Sequence, residues 1–152
     1  MRLSLVVPCY NEAENVADFQ NAVIKAFDGC GYDYEVIFVN DGSTDRSWEV
    51  IEELQKENPD TVHGIKFRRN YGKSPALNTG FARAKGDVVI TMDADLQDDI
   101  NAIDEFINKF ENGAEIVYGV RTERKKDSFF KRTTALAFYK IMNKLGANTI
   151  YN

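Results

Sequence analysis

Two hydrophobic rhythms alternate along this chain. Short apolar runs with little polar alternation occupy residues 3–7, 34–39, 62–67, 88–92 and 115–120, and such runs predict strands of a sheet buried on both faces. Between them the apolar positions recur at helical spacing. Val16, Phe19, Val23 and Phe27 form one face, and Trp48, Ile51 and Leu54 form another. A third helix is expected with Leu77, Gly80, Phe81 and Ala84 on one face, and Ile103, Phe106, Ile107 and Phe110 fit the i, i+3, i+4, i+7 template without a miss. Asn11 is placed to cap the first helix, Gly29 and Gly31 to end it, Asn58-Pro59 to end the second and Gly86-Asp87 the third. Five strands separated by helix-length segments predict an α/β fold with a mainly parallel sheet and right-handed crossovers.

The last segment has a different pattern. Phe129, Phe130, Leu136, Phe138, Tyr139, Ile141, Met142 and Leu145 wrap most of a predicted helix, and cations occupy the remainder. A helix apolar nearly all round is expected to be buried or to lie on a membrane surface. With little chain after it to cover that surface, the expectation is a fragment of a longer protein, and pairing with a second copy is one way to bury the helix. Arg121, Arg124, Lys125, Lys126, Lys131, Arg132, Lys140 and Lys144 face only Glu123 and Asp127, whereas the chain as a whole carries a net charge of −5. This asymmetry suggests an anionic partner for the tail, although a solvated helix face is the commoner source of such a run. Nucleic acid is disfavoured, since no recognisable binding motif interleaves these cations.

Composition narrows the chemistry. The 152 residues suffice for one domain with a real core, and no apolar stretch approaches the roughly 20 residues of a membrane span. No signal peptide is expected at the N-terminus. The two cysteines, Cys9 and Cys30, lack zinc-type spacing, so a reducing cytosol is the expected compartment. His63 is the only histidine and is read as structural, which argues against a Ser-His-Asp hydrolase.

Four predicted strand ends carry polar residues to one edge of the sheet: Pro8-Cys9-Tyr10-Asn11-Glu12, Asn40-Asp41-Gly42-Ser43, residues 68–73, and Asp93-Ala94-Asp95-Leu96-Gln97. Ligands of open α/β sheets gather there. Two carboxylates after a buried strand can hold Mg²⁺ or Mn²⁺ alongside phosphate oxygens, or they can simply cap the next turn. Asp41 could accept from a base N–H or cap a helix, Tyr10 could face a base, and Lys73 could neutralise a diphosphate. Gly72-Lys73-Ser74 is not a P-loop, because Phe67 stands where the first glycine is required. No G-x-G-x-x-G is present. A nucleotidyltransferase would want a glycine-rich basic loop at residues 8–12, and an aspartyl phosphatase would want its D-x-D after the first strand.

Taken in order, Val6-Val7-Pro8-Cys9-Tyr10-Asn11-Glu12, Val39-Asn40-Asp41-Gly42-Ser43-Thr44-Asp45, Arg69-Asn70-Tyr71-Gly72-Lys73, Ala76-Leu77-Asn78-Thr79-Gly80 and Met92-Asp93-Ala94-Asp95-Leu96-Gln97-Asp98 resemble the family 2 glycosyltransferases of GT-A fold. Within that family they are most similar to the dolichyl-phosphate mannosyltransferase and bactoprenol glucosyltransferase branch. The resemblance implies an inverting, Mg²⁺- or Mn²⁺-dependent transfer from a UDP- or GDP-linked sugar. It implies a polyprenyl phosphate acceptor at the cytoplasmic face of the membrane, with a saccharide hydroxyl as the alternative. By position it implies that Pro8, Tyr10, Glu12 and Asp41 line the nucleoside site, with Lys73 near the diphosphate. Asp93 and Asp95 would be the D-x-D pair, Asp95 the main metal ligand and Gln97 an additional one, while Arg121 and Arg132 would receive the acceptor phosphate. Asn40 departs from the pattern, since the family commonly has an acidic residue there. Residues 1–120 are thus expected to form the donor-binding core and residues 121–152 a basic amphipathic segment that begins the acceptor side. A chain cut short on that side could bind donor without transferring sugar. A non-catalytic nucleotide-binding or oligomerisation module is the reading from a different class.

Overall fold

A computed structural model of the chain describes residues 1–120. Strands and helices alternate as β1 (Arg2–Cys9), α1 (Ala13–Phe27), β2 (Asp33–Asn40), α2 (Ser47–Glu57), β3 (Val62–Lys66), α3 (Lys73–Arg83), β4 (Val88–Thr91) and α4 (Ala102–Glu111). All strand pairs are parallel, in the order β3-β2-β1-β4, with Leu5 opposite both Val36 and Ile90. The two central strands are the most continuously buried, as strands covered on both faces should be. The chain separates after Gly113 into two units, the first of which holds every helix and strand among the described residues.

The faces of the sheet are unequal. Leu3, Leu5, Val7, Val36 and Phe38 pack against Val16, Phe19 and Val23 of α1, Ile51 of α2, and Ile103 and Ile107 of α4. The Phe19 and Phe38 rings meet edge to face at 6.1 Å. On the other side Val6, Ile37 and Val39 meet Ala76 of α3. A Cβ on Gly80 would stand 2.3 Å from a Val6 methyl, so the absence of a side chain there lets α3 settle onto the sheet. Phe81, expected on that packed face, is exposed instead.

Below α3, at the amino ends of the strands, a buried carboxylate closes the sheet. Ser4 Oγ donates to Glu35 Oε1 at 2.6 Å, the Lys85 N–H donates to the same oxygen at 2.7 Å, and Arg2 and His63 approach Oε2 at 3.4 Å. Burial pushes the Glu35 carboxyl up, but these donors outweigh it and hold the group below the ordinary glutamate value. The α3–β4 connection is thereby tied to β1 and β2.

Two expectations are corrected here. Residues 115–120 form no strand, and their alternate positions Ile116, Tyr118 and Val120 are 84 %, 68 % and 67 % exposed. An apolar run makes a strand only where the backbone finds a pairing edge, and none of the four described strands pairs with this segment. Asn11 does not cap α1. It lies in the left-handed region at φ 56°, and its side chain is drawn to the β2–α2 loop, leaving Glu12 at the cap position. The helix expected over residues 129–145, together with Arg121 and Arg132, lies outside the described residues.

Candidate functional site

The order of the sheet reverses at β1, which has β2 on one side and β4 on the other. At such a switch point the loops leaving neighbouring strands part and open a crevice beyond their carboxyl ends. Here the crevice is a cleft of about 270 Å³, lined by Pro8, Tyr10, Glu12, Asp41, Asn70, Gly72, Lys73, Asp93 and Asp95 among others. The structure therefore brings Pro8, Tyr10, Glu12, Asp41, Lys73, Asp93 and Asp95 together. Gln97 sits on the exposed turn just beyond, outside the lining.

Side chains stitch the walls to one another. The Asn11 N–H donates to Ser43 Oγ at 3.0 Å, and Asn11 Oδ1 accepts from the Thr44 N–H at 2.9 Å. Asp45 accepts from the Ala13 N–H and from the N–H and hydroxyl of Ser47, while Ser47 Oγ accepts from the Glu12 N–H. Burial raises the Asp45 carboxyl, yet the Ser47 and Ala13 donors hold it below the ordinary aspartate value. The β1–α1 and β2–α2 loops thus form one wall.

Asp41 binds the second wall to the first. Its residue is 4 % exposed, and its two carboxylate oxygens accept the N–H groups of Tyr71 and Gly72 at 2.7 and 2.8 Å. Gly42 lets that wall come close. It holds φ +69°, and a Cβ there would fall 2.1 Å from the Arg69 carbonyl carbon. Lys73 follows at the start of α3, a helix end with no acidic residue in its first turn and no side-chain cap. Such an end favours anions. The Lys73 ammonium donates to both oxygens of Asp93, at 2.5 and 2.8 Å.

Past β4, Asp95 Oδ1 accepts the Gln97 N–H at 3.1 Å across a turn that places Leu96 at φ +54°. A leucine in the left-handed region costs about 1 kcal/mol, and such strain gathers at functional sites. Among the described residues no three His, Cys, Asp or Glu side chains converge into a complete metal cage. Asp93 and Asp95 both line the cleft and offer the kind of oxygen donor that a hard divalent cation takes alongside phosphate oxygens and water. Cys9 is buried, and that burial pushes its thiol well above the usual range, away from the thiolate form.

Sequence reasoning missed the fastening role of Asp41 and the part of Asn70 in the cleft lining. The partners of Asp41 are backbone N–H groups about thirty positions away, and these leave no mark on residue identity.

Comparison with known proteins places the chain in a family. An uncharacterized glycosyltransferase of Bacillus subtilis, YkoT, is 46 % identical over 99 % of this chain and 47 % of its own length. The bactoprenol glucosyl transferase of Shigella phage SfV is 41 % identical over 99 % of this chain and 48 % of its own length. The chain spans about half the length of these curated relatives. Among solved structures, the mannosyltransferase PcManGT of Pyrobaculum calidifontis, in complex with GDP-Man and Mn²⁺, superposes with a TM-score of 0.56 at 28 % identity, covering 66 % of this chain and 29 % of that one. The parallel sheet with alternating helices is of the GT-A type. The profile of Glycosyl transferase family 2 matches residues 4–152, from β1 through the whole cleft and beyond, and the chain belongs to that family.

Proposed function

We propose that the chain is the donor-binding portion of an inverting, metal-dependent glycosyltransferase that moves a sugar from a UDP- or GDP-linked donor to a polyprenyl phosphate at the cytoplasmic membrane face. The observation that carries this reading is the charge balance of the cleft. Among the described lining residues Glu12, Asp41, Asp93 and Asp95 face one ammonium, that of Lys73. Such a cleft repels a bare diphosphate and accepts one accompanied by a divalent cation.

Within this reading Pro8 and Tyr10 offer apolar surface to the base, with Glu12 and Asp41 beside them. Asp93 and Asp95 would hold the cation, with Gln97 as an additional ligand, and Lys73 would pair with the diphosphate. The cation, when bound, supplies charge to stabilise the departing diphosphate. The protein's own contribution is alignment: rigid walls fix the donor so that attack comes in line. Among the described cleft carboxylates, Asp41 has both oxygens on the Tyr71 and Gly72 N–H groups and Asp93 both on Lys73, while Glu12 and Asp95 each accept with one oxygen, from Asn15 and Gln97. A lipid phosphate is already ionised and needs no protein base, whereas a sugar hydroxyl must lose a proton. Arg121 and Arg132 would receive that phosphate. The bactoprenol glucosyl transferase relative supports the acceptor class, and the GDP-Man and Mn²⁺ complex of PcManGT supports the donor class and the cation. No helix among the described residues is long and apolar enough to cross a membrane.

Calorimetry with UDP and GDP, each with and without Mn²⁺, tests the reading. Metal-dependent binding of one nucleotide is expected, and Asp95→Ala should remove the metal dependence. Binding of neither nucleotide would overturn the donor site, and a metal effect that survives Asp95→Ala would overturn the assignment of the ligand.

A further inference from the structure

We propose that the Lys73–Asp93 ion pair is a latch that withholds Asp93 from a free divalent cation until a nucleotide diphosphate draws the ammonium away, so that cation and nucleotide enter as one coupled event. The inference rests on the donor-site reading and adds an order of events to it.

The geometry is specific. Lys73 opens α3 and Asp93 follows β4, twenty positions apart, yet Nζ lies 2.5 and 2.8 Å from the two carboxylate oxygens. The ammonium therefore straddles the carboxylate, using the lone pairs that a cation would need. A divalent cation on Asp93 would also stand directly against the Lys73 charge. Both obstacles vanish together when an anionic diphosphate takes the ammonium. Asp95, the other half of the pair, uses one oxygen on the Gln97 N–H and has no cationic partner in any described ion pair.

The latch must also be weak enough to open. The side chains of Lys73 and Asp93 are 59 % and 45 % exposed, so water competes for both and the pair contributes modestly. An exposed pair of this kind is expected to lower the affinity for free cation by about two- to five-fold. Linkage requires that whatever the nucleotide does for the cation, the cation does equally for the nucleotide.

The test compares the unaltered chain with Lys73→Met and Arg68→Met, the second removing the same charge from an exposed position in the loop that leads to α3. Mn²⁺ binding is read from broadening of the amide signals of residues 93–97, which registers weak association, first with metal alone and then with UDP or GDP present. Lys73→Met should bind Mn²⁺ alone about two- to five-fold more tightly, bind the Mn²⁺–nucleotide pair less tightly, and show a smaller enhancement of metal binding by nucleotide. Arg68→Met should bind Mn²⁺ alone as the unaltered chain does. Unchanged or weaker binding of Mn²⁺ alone by Lys73→Met would overturn the latch, as would an equal gain in Arg68→Met, which would reduce the effect to net charge. Failure of both nucleotides to bind the unaltered chain with Mn²⁺ would overturn the donor site itself, separately from the metal-alone comparison.

Discussion

Replacing Asp41 by Asn separates two roles for a side chain that reaches the cleft but turns both oxygens to backbone N–H groups. In the native structure those oxygens accept from Tyr71 and Gly72 at 2.7 and 2.8 Å, in a residue only 4 % exposed. A hydrogen bond to a charged group contributes about 1.5–3 kcal/mol. The asparagine amide keeps one acceptor and turns a donor toward the other N–H. At least one such bond is lost, which raises opening of the 70–72 loop by roughly 10- to 150-fold. The domain should remain folded, since the loss is smaller than the ~5–15 kcal/mol that holds a typical domain together. Amide hydrogen exchange at Tyr71 and Gly72 measures the opening, and calorimetry with UDP or GDP and Mn²⁺ measures the consequence for Lys73 next along the chain. Protection and affinity should fall together. Loss of nucleotide binding with exchange at both amides unchanged would refute the reasoning and return Asp41 to direct contact with the base.

Gly42→Ala should destabilise the chain in urea by more than Gly29→Ala, because both glycines hold positive φ, costing about 1 kcal/mol each for alanine, but only Gly42 has the Arg69 backbone within bonding range of a new Cβ. Equal losses would mean that the loop moves aside freely. Glu35→Gln should lower the urea midpoint at neutral pH, and the deficit should shrink in acid. A carboxyl held below its ordinary 4.5 adds stability above that pH and loses it as the pH falls through the folded-state value. A deficit independent of pH would assign the effect to packing or hydrogen bonding rather than charge.

The parallel α/β core was legible because β1 and β2 are runs of core residues and each helix repeats its buried positions, as Val16, Phe19 and Val23 do on α1 and Ile103 and Ile107 on α4; β4, expected to be buried on both faces, is buried only at Ile90. The polar strand ends were legible for the same reason, since carboxylates such as Asp93 and Asp95 fit poorly inside a run of buried apolar residues. What escaped were relations between distant segments. Asn11 has the chemistry of a helix cap, but nothing local to it reveals that Ser43 and Thr44 will compete for it. Residues 115–120 have the rhythm of a strand without revealing whether an edge is available to pair with. Phe81 kept the period of α3 and lost its cover, because among the described residues one helix lies on that face and three on the other.

The Asn11, Ser43, Thr44, Asp45 and Ser47 stitching has a consequence for how this wall can change over generations. Two loops more than thirty positions apart are inherited as one object, so a substitution on one strands its partner on the other. Pairs such as Asn11 with Thr44 should therefore be exchanged jointly, and their single replacements should combine non-additively. A laboratory library that randomises one loop alone would sample mostly broken walls, whereas diversity spread over both at once would keep more of them intact.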